Sequence, residues 1–367
     1  MSEWRTSGEP IAGGQAERRQ DELVLRFDDA IELGRITALL QQARERGGPG
    51  QETVCTLNLV AIYFSAAQYE RQREALELAG SVHPCRLLVL IGDELAKESS
   101  VTARVSVVRS GGAISVERIV LVATGRAVRH LESAMLGLLL PELPMVAVWG
   151  GRPQGDLLHR ALESADRIIT DSGARPPTYL SETAALVERG APIGDLAWAR
   201  IFPWQALAAE VLDLPNLREH RGHIQRARVT CAGGLGAEGA LLAGWMAARI
   251  KGIDVSLTAA GEAPAPAEGA AHAATPGATP PGAAPITLGQ VTQFEFDAPP
   301  AKFTFRREKA LLIAEVQGDD DGAVIHRVRL PPETPGRLLG LELKLLTGID
   351  DLYAQALRLG ARLVGAT

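Results

Sequence analysis

Two apolar runs, TLNLVAIYF at 56–64 and CRLLVLIG at 85–92, are rich in aliphatic and β-branched residues and hold few polar positions. Runs of this kind read as strands buried on both faces. Between them lies SAAQYERQREALELAG at 65–80, which opens on Ser and ends in Gly. Ser at an N-cap and Gly past the last turn are helix boundary signals. Strand, helix and strand in this order predict a parallel α/β sheet. Upstream, the pattern from Leu23 to Gln42 predicts an amphipathic helix, and GGPGQE at 47–52 is a break. Residues 1–20 are polar and punctuated by Gly and Pro, as in a flexible tail.

Downstream, ARVSVVRSGGAISVERIVLVA at 103–123 holds two alternating runs around Gly111-Gly112. That is a hairpin, so the sheet is expected to carry an antiparallel edge. A helix at 124–140, a strand at 144–151, a helix at 155–165 and a strand at 166–173 follow. Arg175-Pro176-Pro177 marks the expected boundary between an N-terminal α/β domain, 21–174, and a C-terminal α/β domain, 175–367. The second domain reads as helices at 178–190 and 203–214, a strand at 226–234, a helix at 237–250 and a strand at 253–260. Of the 27 residues from 259 to 285, 22 are Ala, Pro or Gly, which predicts a disordered or extended insertion. Four alternating runs at 286–296, 301–308, 310–317 and 322–330 form an antiparallel meander, and helices at 336–346 and 349–363 close the chain. The fold class is therefore α/β: mixed, mostly parallel sheets covered by helices in two sub-domains, with a C-terminal antiparallel meander and helices.

Composition narrows the function. With 46% hydrophobic and 22% charged residues the chain can bury a core. A net charge of −6 without any Lys/Arg run offers nucleic acid no electrostatic footing. Three separated cysteines, Cys55, Cys85 and Cys231, make neither a disulfide framework nor a zinc site of ordinary spacing. The most apolar stretch, 134–149, is interrupted by Pro141, Glu142 and Pro144, so no membrane helix is expected. The polar, acidic start is unlike a secretory signal, and a cytoplasmic location is expected.

Candidate chemistry is sparse. Gly234, Gly236 and Gly239 match G-x-G-x-x-G after a predicted strand, with Gly233 beside them. Such a turn can hold an anion on backbone amides, and it can equally be a tight strand–helix connection. Asp254 has the spacing of a ribose-binding acid but precedes its strand, and Glu238 within the motif would repel phosphate. Asp171-Ser172-Gly173 lies beyond a strand end, where it either faces a ligand or caps a turn. No G-x-S-x-G elbow makes Ser172 a nucleophile. His220, His223 and Cys231 sit among arginines that oppose a bound cation. Asp156, Glu163 and Asp166 read as helix-face charges, and the cysteines as buried thiols, with Cys85 in the most cationic setting. DLAWARIFPW at 195–204 is the most unusual stretch, with two of the five tryptophans within seven residues. Trp198, Arg200 and Trp204 there, and Trp149 and Arg152 at the end of a buried strand, read either as interface anchors or as core, and these five are taken as the expected partner-binding surface.

These stretches carry a family resemblance. TLNLV (56–60), HPCR (83–86), LPELPMVAVWGGRP (140–153), ADRIITDS (165–172), DLAWARIFPW, the glycine turn and AGWMAARI (243–250) occur in an order that resembles the glucose-6-phosphate dehydrogenase assembly protein family, OpcA. The resemblance implies a non-catalytic protein without cofactor or metal. It would bind glucose-6-phosphate dehydrogenase, promote its oligomeric assembly and act as its positive effector. Some photosynthetic members are under thioredoxin control through cysteines, a role to which the three cysteines here do not match. The alternative is a sugar-phosphate- or nucleotide-binding enzyme built on the turn at 233–239.

Overall fold

The computed structural model describes residues 22–28, 30–46, 55–110, 114–151, 156–173, 175–176, 178–260, 289–318, 324–344 and 350–365. The expected tail at 1–20, Arg152 and all but the first two residues of the insertion at 259–285 lie outside them. Two compact units divide the chain, Met1–Met145 and Val146–Thr367.

In the first unit, β1 (Leu23–Phe27), α1 (Leu33–Glu45), β2 (Leu57–Tyr63), α2 (Ala66–Val82), β3 (Cys85–Asp93), β4 (Ser100–Ser110), β5 (Ile114–Thr124) and α3 (Leu131–Leu138) follow in order. Its strands lie in the order β1-β4-β5-β3-β2. β2 and β3 run parallel, as do β3 and β5, while the β4–β5 hairpin and the β1–β4 pair are antiparallel. Every residue of β2 is buried, which is why its sequence is continuous rather than alternating. Ser65 caps α2, its hydroxyl accepting from the Gln68 amide at 3.3 Å. The helix expected over 23–42 is instead a strand and a later helix. LVLRF alternates, with Leu23 and Leu25 half-buried and Phe27 buried, and pairs with β4; the helix begins only at Leu33. The expected helix at 124–140 starts as a 3₁₀ turn over Gly125–His130. Gly125 is required there: it sits at φ +55, and a Cβ would come within 2.9 Å of the Glu98 carbonyl.

The second unit opens with three short strands, β6 (Met145–Trp149), β7 (Arg167–Thr170) and β8 (Ile193–Asp195), parallel and adjacent, with α4 (Asp156–Ser164) and α5 (Thr178–Glu188) between them. α6 (Leu196–Leu212) follows directly, then β9 (Arg226–Ala232), α7 (Ala237–Arg249) and β10 (Asp254–Ala260). The meander is β11 (Val291–Ala298), β12 (Ala301–Glu308), β13 (Leu311–Gln317) and β14 (Val324–Arg329), and α8 (Pro335–Glu342) and α9 (Asp351–Gly365) complete the chain. Together β9 to β14 make a second sheet in the order β10-β9-β11-β12-β13-β14, antiparallel except for the β9–β10 crossover through α7. One face of this sheet is an aromatic core: Phe294, Phe296, Phe303 and Phe305 are fully buried, and Phe294 stacks on Phe305 at 4.2 Å. Two helices meet at backbone distance because a Cβ on Gly244 would overlap the Ala356 carbonyl, and one on Gly360 the Ala240 carbonyl. Arg167 of β7 and Glu342 of α8 form a buried ion pair at 2.6 Å.

Candidate functional site

The decapeptide 195–204 forms the start of α6, seven residues earlier than the helix expected at 203–214. Pro203, the first residue of the expected helix, stands inside the observed one, where its missing N–H costs one backbone bond. The start is instead set by Asp195, whose Oδ1 accepts from the Ala197 amide at 2.9 Å and the Ser172 amide at 3.0 Å. One carboxylate thereby ties the end of β7 to the head of α6.

Each large side chain on this turn then meets a specific neighbour. Trp204 is 2% exposed and packs on Phe294 at 5.8 Å. Trp198 is half-buried, donates Nε1–H to Asp350 at 3.2 Å and lies 5.7 Å from the Tyr353 ring. Arg200 grips Asp171 with both terminal nitrogens, at 2.6 and 2.7 Å. Trp149, at the end of β6, is 4% exposed. Of the residues singled out as partner anchors, the described ones are thus engaged within the chain itself. The large side chain that α6 leaves outside is Phe202, 61% exposed.

Arg200 is the centre of an ionic cluster that joins residues distant in sequence. Beyond the Asp171 fork, its Nε lies 3.8 Å from Glu238, at the start of α7. Farther on, Glu333 accepts from Arg307 at 3.1 Å and from Gln290 at 2.9 Å, and its charge reaches Glu238. Burial works against the Asp171 carboxylate, yet the Arg200 fork, the Gly173 amide and Arg175 outweigh it and hold its pKa below the usual range. Arg200 is also desolvated, but its acidic neighbours strengthen its charge further. Glu238 fares differently. Burial drives its pKa up to about 7, aided by Glu333 and Asp171, and the attraction of Arg200 and Arg307 only partly offsets this. Burial likewise raises Asp195 to about 6, against the pull of Ser172 and the Ala197 amide.

The glycine turn beside this cluster is closed. Gly233, at φ +63, donates its amide to the Ala260 carbonyl at 3.2 Å, and Gly234 donates to Ala232 at 2.8 Å. The Gly236 amide points to the Cys231 sulfur. A Cβ on Gly236 would strike the Gly289 backbone, and one on Gly239 the Cys231 sulfur. The glycines are therefore present for close packing: the amides of Gly233, Gly234 and Gly236 have acceptors within the chain, and a carboxylate sits at the helix start. Asp254 begins β10 at the end remote from the turn.

Elsewhere, His220 and His223 lie on a 3₁₀ segment, His220 against the Phe303 ring at 6.3 Å. Among the described residues no group of three or more His, Cys, Asp or Glu side chains is arranged to hold a metal. Burial pushes the thiol pKa of Cys55 to about 11, Cys85 to about 12 and Cys231 to about 11. In the first unit, two residues of the family stretches have structural work. Asn58 clamps Leu140 and Leu143 through its amide, and Arg86 joins Glu117 at 2.8 Å and the Leu138 carbonyl at 2.9 Å. An open trough of about 490 Å³ crosses the outer face of the second sheet. Arg226–Asp297 and Lys302–Glu295 ion pairs bridge it, so its charges cancel locally. No helix among the described residues is long and apolar enough to cross a membrane.

Asp171 and Ser172 were visible in the sequence as residues beyond a strand end, but their pairing was not. Arg200 lies 29 positions downstream of Asp171 and Glu238 another 38, with no local spacing to connect them.

Comparison with known proteins places these features. Residues 77–188 match the family described as glucose-6-phosphate dehydrogenase subunit N-terminal domain, and residues 191–357 match its C-terminal domain. The chain is similar to the OxPP cycle protein OpcA of Synechocystis, 31% identical over 183 residues, covering 47% of this chain and 38% of that protein. The Nostoc punctiforme OpcA is 30% identical, over 47% of this chain and 39% of the relative. That of Synechococcus elongatus is 24% identical, over 58% and 52%. The matches thus span between about two fifths and half of those relatives' length. Among solved structures, a super-repressor mutant of Gal80p from Saccharomyces cerevisiae superposes with a TM-score of 0.46 at 9% identity, over 85% of this chain and 96% of that one. At that score the likeness says nothing of function.

Proposed function

The chain belongs to the OpcA family of glucose-6-phosphate dehydrogenase assembly proteins, and from that premise we propose that it is a non-catalytic assembly factor and positive allosteric effector of glucose-6-phosphate dehydrogenase. The observation that carries this reading is the state of the strand ends in the second unit. Where an α/β enzyme would receive a ligand, Arg200 is spent on Asp171 and Glu238, and the amides of Gly233, Gly234 and Gly236 are spent on the chain's own acceptors. This arrangement supports a protein whose function lies in what its surface binds, and it speaks against the alternative enzyme built on the turn at 233–239.

An effector of this kind needs no chemistry of its own. It shifts the dehydrogenase toward the active oligomer by as much as its affinity for that form exceeds its affinity for the inactive one. In a titration of the chain into the same organism's glucose-6-phosphate dehydrogenase, NADPH formation should show a saturable fall in apparent KM or rise in rate. A larger complex should appear on sizing. Unchanged kinetics together with unchanged size overturn the proposal.

A further inference from the structure

The two edges of the second sheet are built differently. β14 carries His326, Arg327 and Arg329 within six residues, and His326 is drawn to Glu210 of α6 at 3.2 Å. Charge of this sort is how sheets discourage strand addition. β10, the other edge, reads DVSLTAA, with Asp254 at its first position its only charge. It has no proline, and its register with β9 runs unbroken over seven pairs from Asp254 to Ala260. On its outer side no strand among the described residues takes up its N–H and C=O groups. Ser256, Thr258, Ala259 and Ala260 are exposed, while Val255 and Leu257 are half-buried. Among the described residues this edge is regular in register, carries one charge at its first position and has no strand on its outer side.

We propose that β10 is a homotypic docking edge, through which two copies of this chain pair antiparallel about a two-fold axis at Leu257. The argument for a second copy as occupant is the self-complementarity of the strand in that register. Antiparallel pairing centred on Leu257 sets Asp254 opposite the partner's Ala260, so no like charges meet. Ser256 faces the partner's Thr258, a hydroxyl pair of the kind that stabilises cross-strand neighbours. Val255 faces the partner's Ala259, and the two Leu257 side chains meet at the axis, extending the apolar side of both sheets. A closed two-fold contact of this kind ends at a dimer and leaves the sheet edges at β14 free. One seven-residue strand pair buries less than the roughly 1,200 Å² of a standard interface, so exchange between monomer and dimer in the micromolar range is expected.

The test is sedimentation of the full chain from about 1 to about 300 µM, a span that brackets micromolar association. The wild type should pass from monomer to dimer. Ser256→Lys with Thr258→Lys opposes lysines twice across the axis and should weaken self-association by about tenfold or more. Ser256→Glu with Thr258→Glu should do the same. Both positions are exposed in the single chain and their hydroxyls make only long contacts of 3.3–3.4 Å to β9, so circular dichroism should keep its wild-type shape in both variants. Mixed together, the lysine and glutamate chains should form a heterodimer that neither forms alone. A wild type that stays monomeric throughout overturns the proposal. So does a dimer that both charged variants leave intact, or a mixture of the two that does not associate.

Discussion

Replacing Glu238 by Gln tests whether the cluster around Arg200 is short of positive charge. Its side chain is 11% exposed, lies 3.8 Å from a guanidinium already forked onto Asp171, and feels the charges of Glu333 and Asp171. Its pKa rises from 4.5 to about 7. Each unit corresponds to about 1.36 kcal/mol, so full ionisation costs the fold about 3 kcal/mol. The direction follows from linkage: a carboxyl whose pKa is raised by folding imposes no cost below its unfolded pKa. The cost grows as pH climbs from 4.5 toward about 7 and is constant beyond. Gln keeps the volume and removes the ionisation. In urea unfolding followed by tryptophan fluorescence, Glu238→Gln should match the wild type near pH 5 within about 1 kcal/mol. By about pH 8 it should be the more stable protein by about 2–3 kcal/mol. Asp195, raised to about 6, also lowers stability as pH rises, but it does so in both proteins and cancels in the difference. Parallel pH curves for the two proteins would refute the reasoning, as would a glutamine variant that is the weaker one at about pH 8.

Trp204→Ala should lose about 3–5 kcal/mol in the same assay, because a ring packed on Phe294 is deleted from a core that does not collapse; a loss under about 1 kcal/mol would place the ring outside the core. Asp171→Asn leaves Arg200 buried without its fork partner, and a cost of about 3–5 kcal/mol is expected, tempered because Arg200 is 15% exposed. Its signature in calorimetry is a lower melting temperature that Arg200→Met in the same chain partly restores; two additive losses would count against the pair. The thiols should be nearly inert: with pKa values of about 11, 12 and 11, roughly 1% or less is thiolate at pH 9, so DTNB should label the native chain slowly and the urea-unfolded chain at once. Rapid native labelling of Cys55, Cys85 or Cys231 would contradict the burial argument.

Periodicity alone located most of the elements, because each reports a local fact about which faces of a segment are covered. The continuous runs at β2 and β3, the hairpin of β4 and β5, the meander from β11 to β14 and the two closing helices all stood in the pattern of apolar residues. β1 was missed because five residues cannot separate a period of two from the helical pattern that follows them, and only pairing with β4 decides it. α6 begins seven residues before the expected helix because its start is a cap at Asp195, whose carboxylate also accepts from the Ser172 amide just beyond β7. The glycine turn was legible as a turn, but whether the Gly233 amide was free depended on Ala260, and whether a side chain could stand at Gly236 depended on Gly289, 53 residues further on. The same holds for the tryptophans and Arg200. Composition marks them as residues with large area and many donors. Whether that capacity is turned inward or outward is decided by which surfaces the folded chain brings against α6, and for Trp204 and Arg200 those surfaces are Phe294 and Asp171.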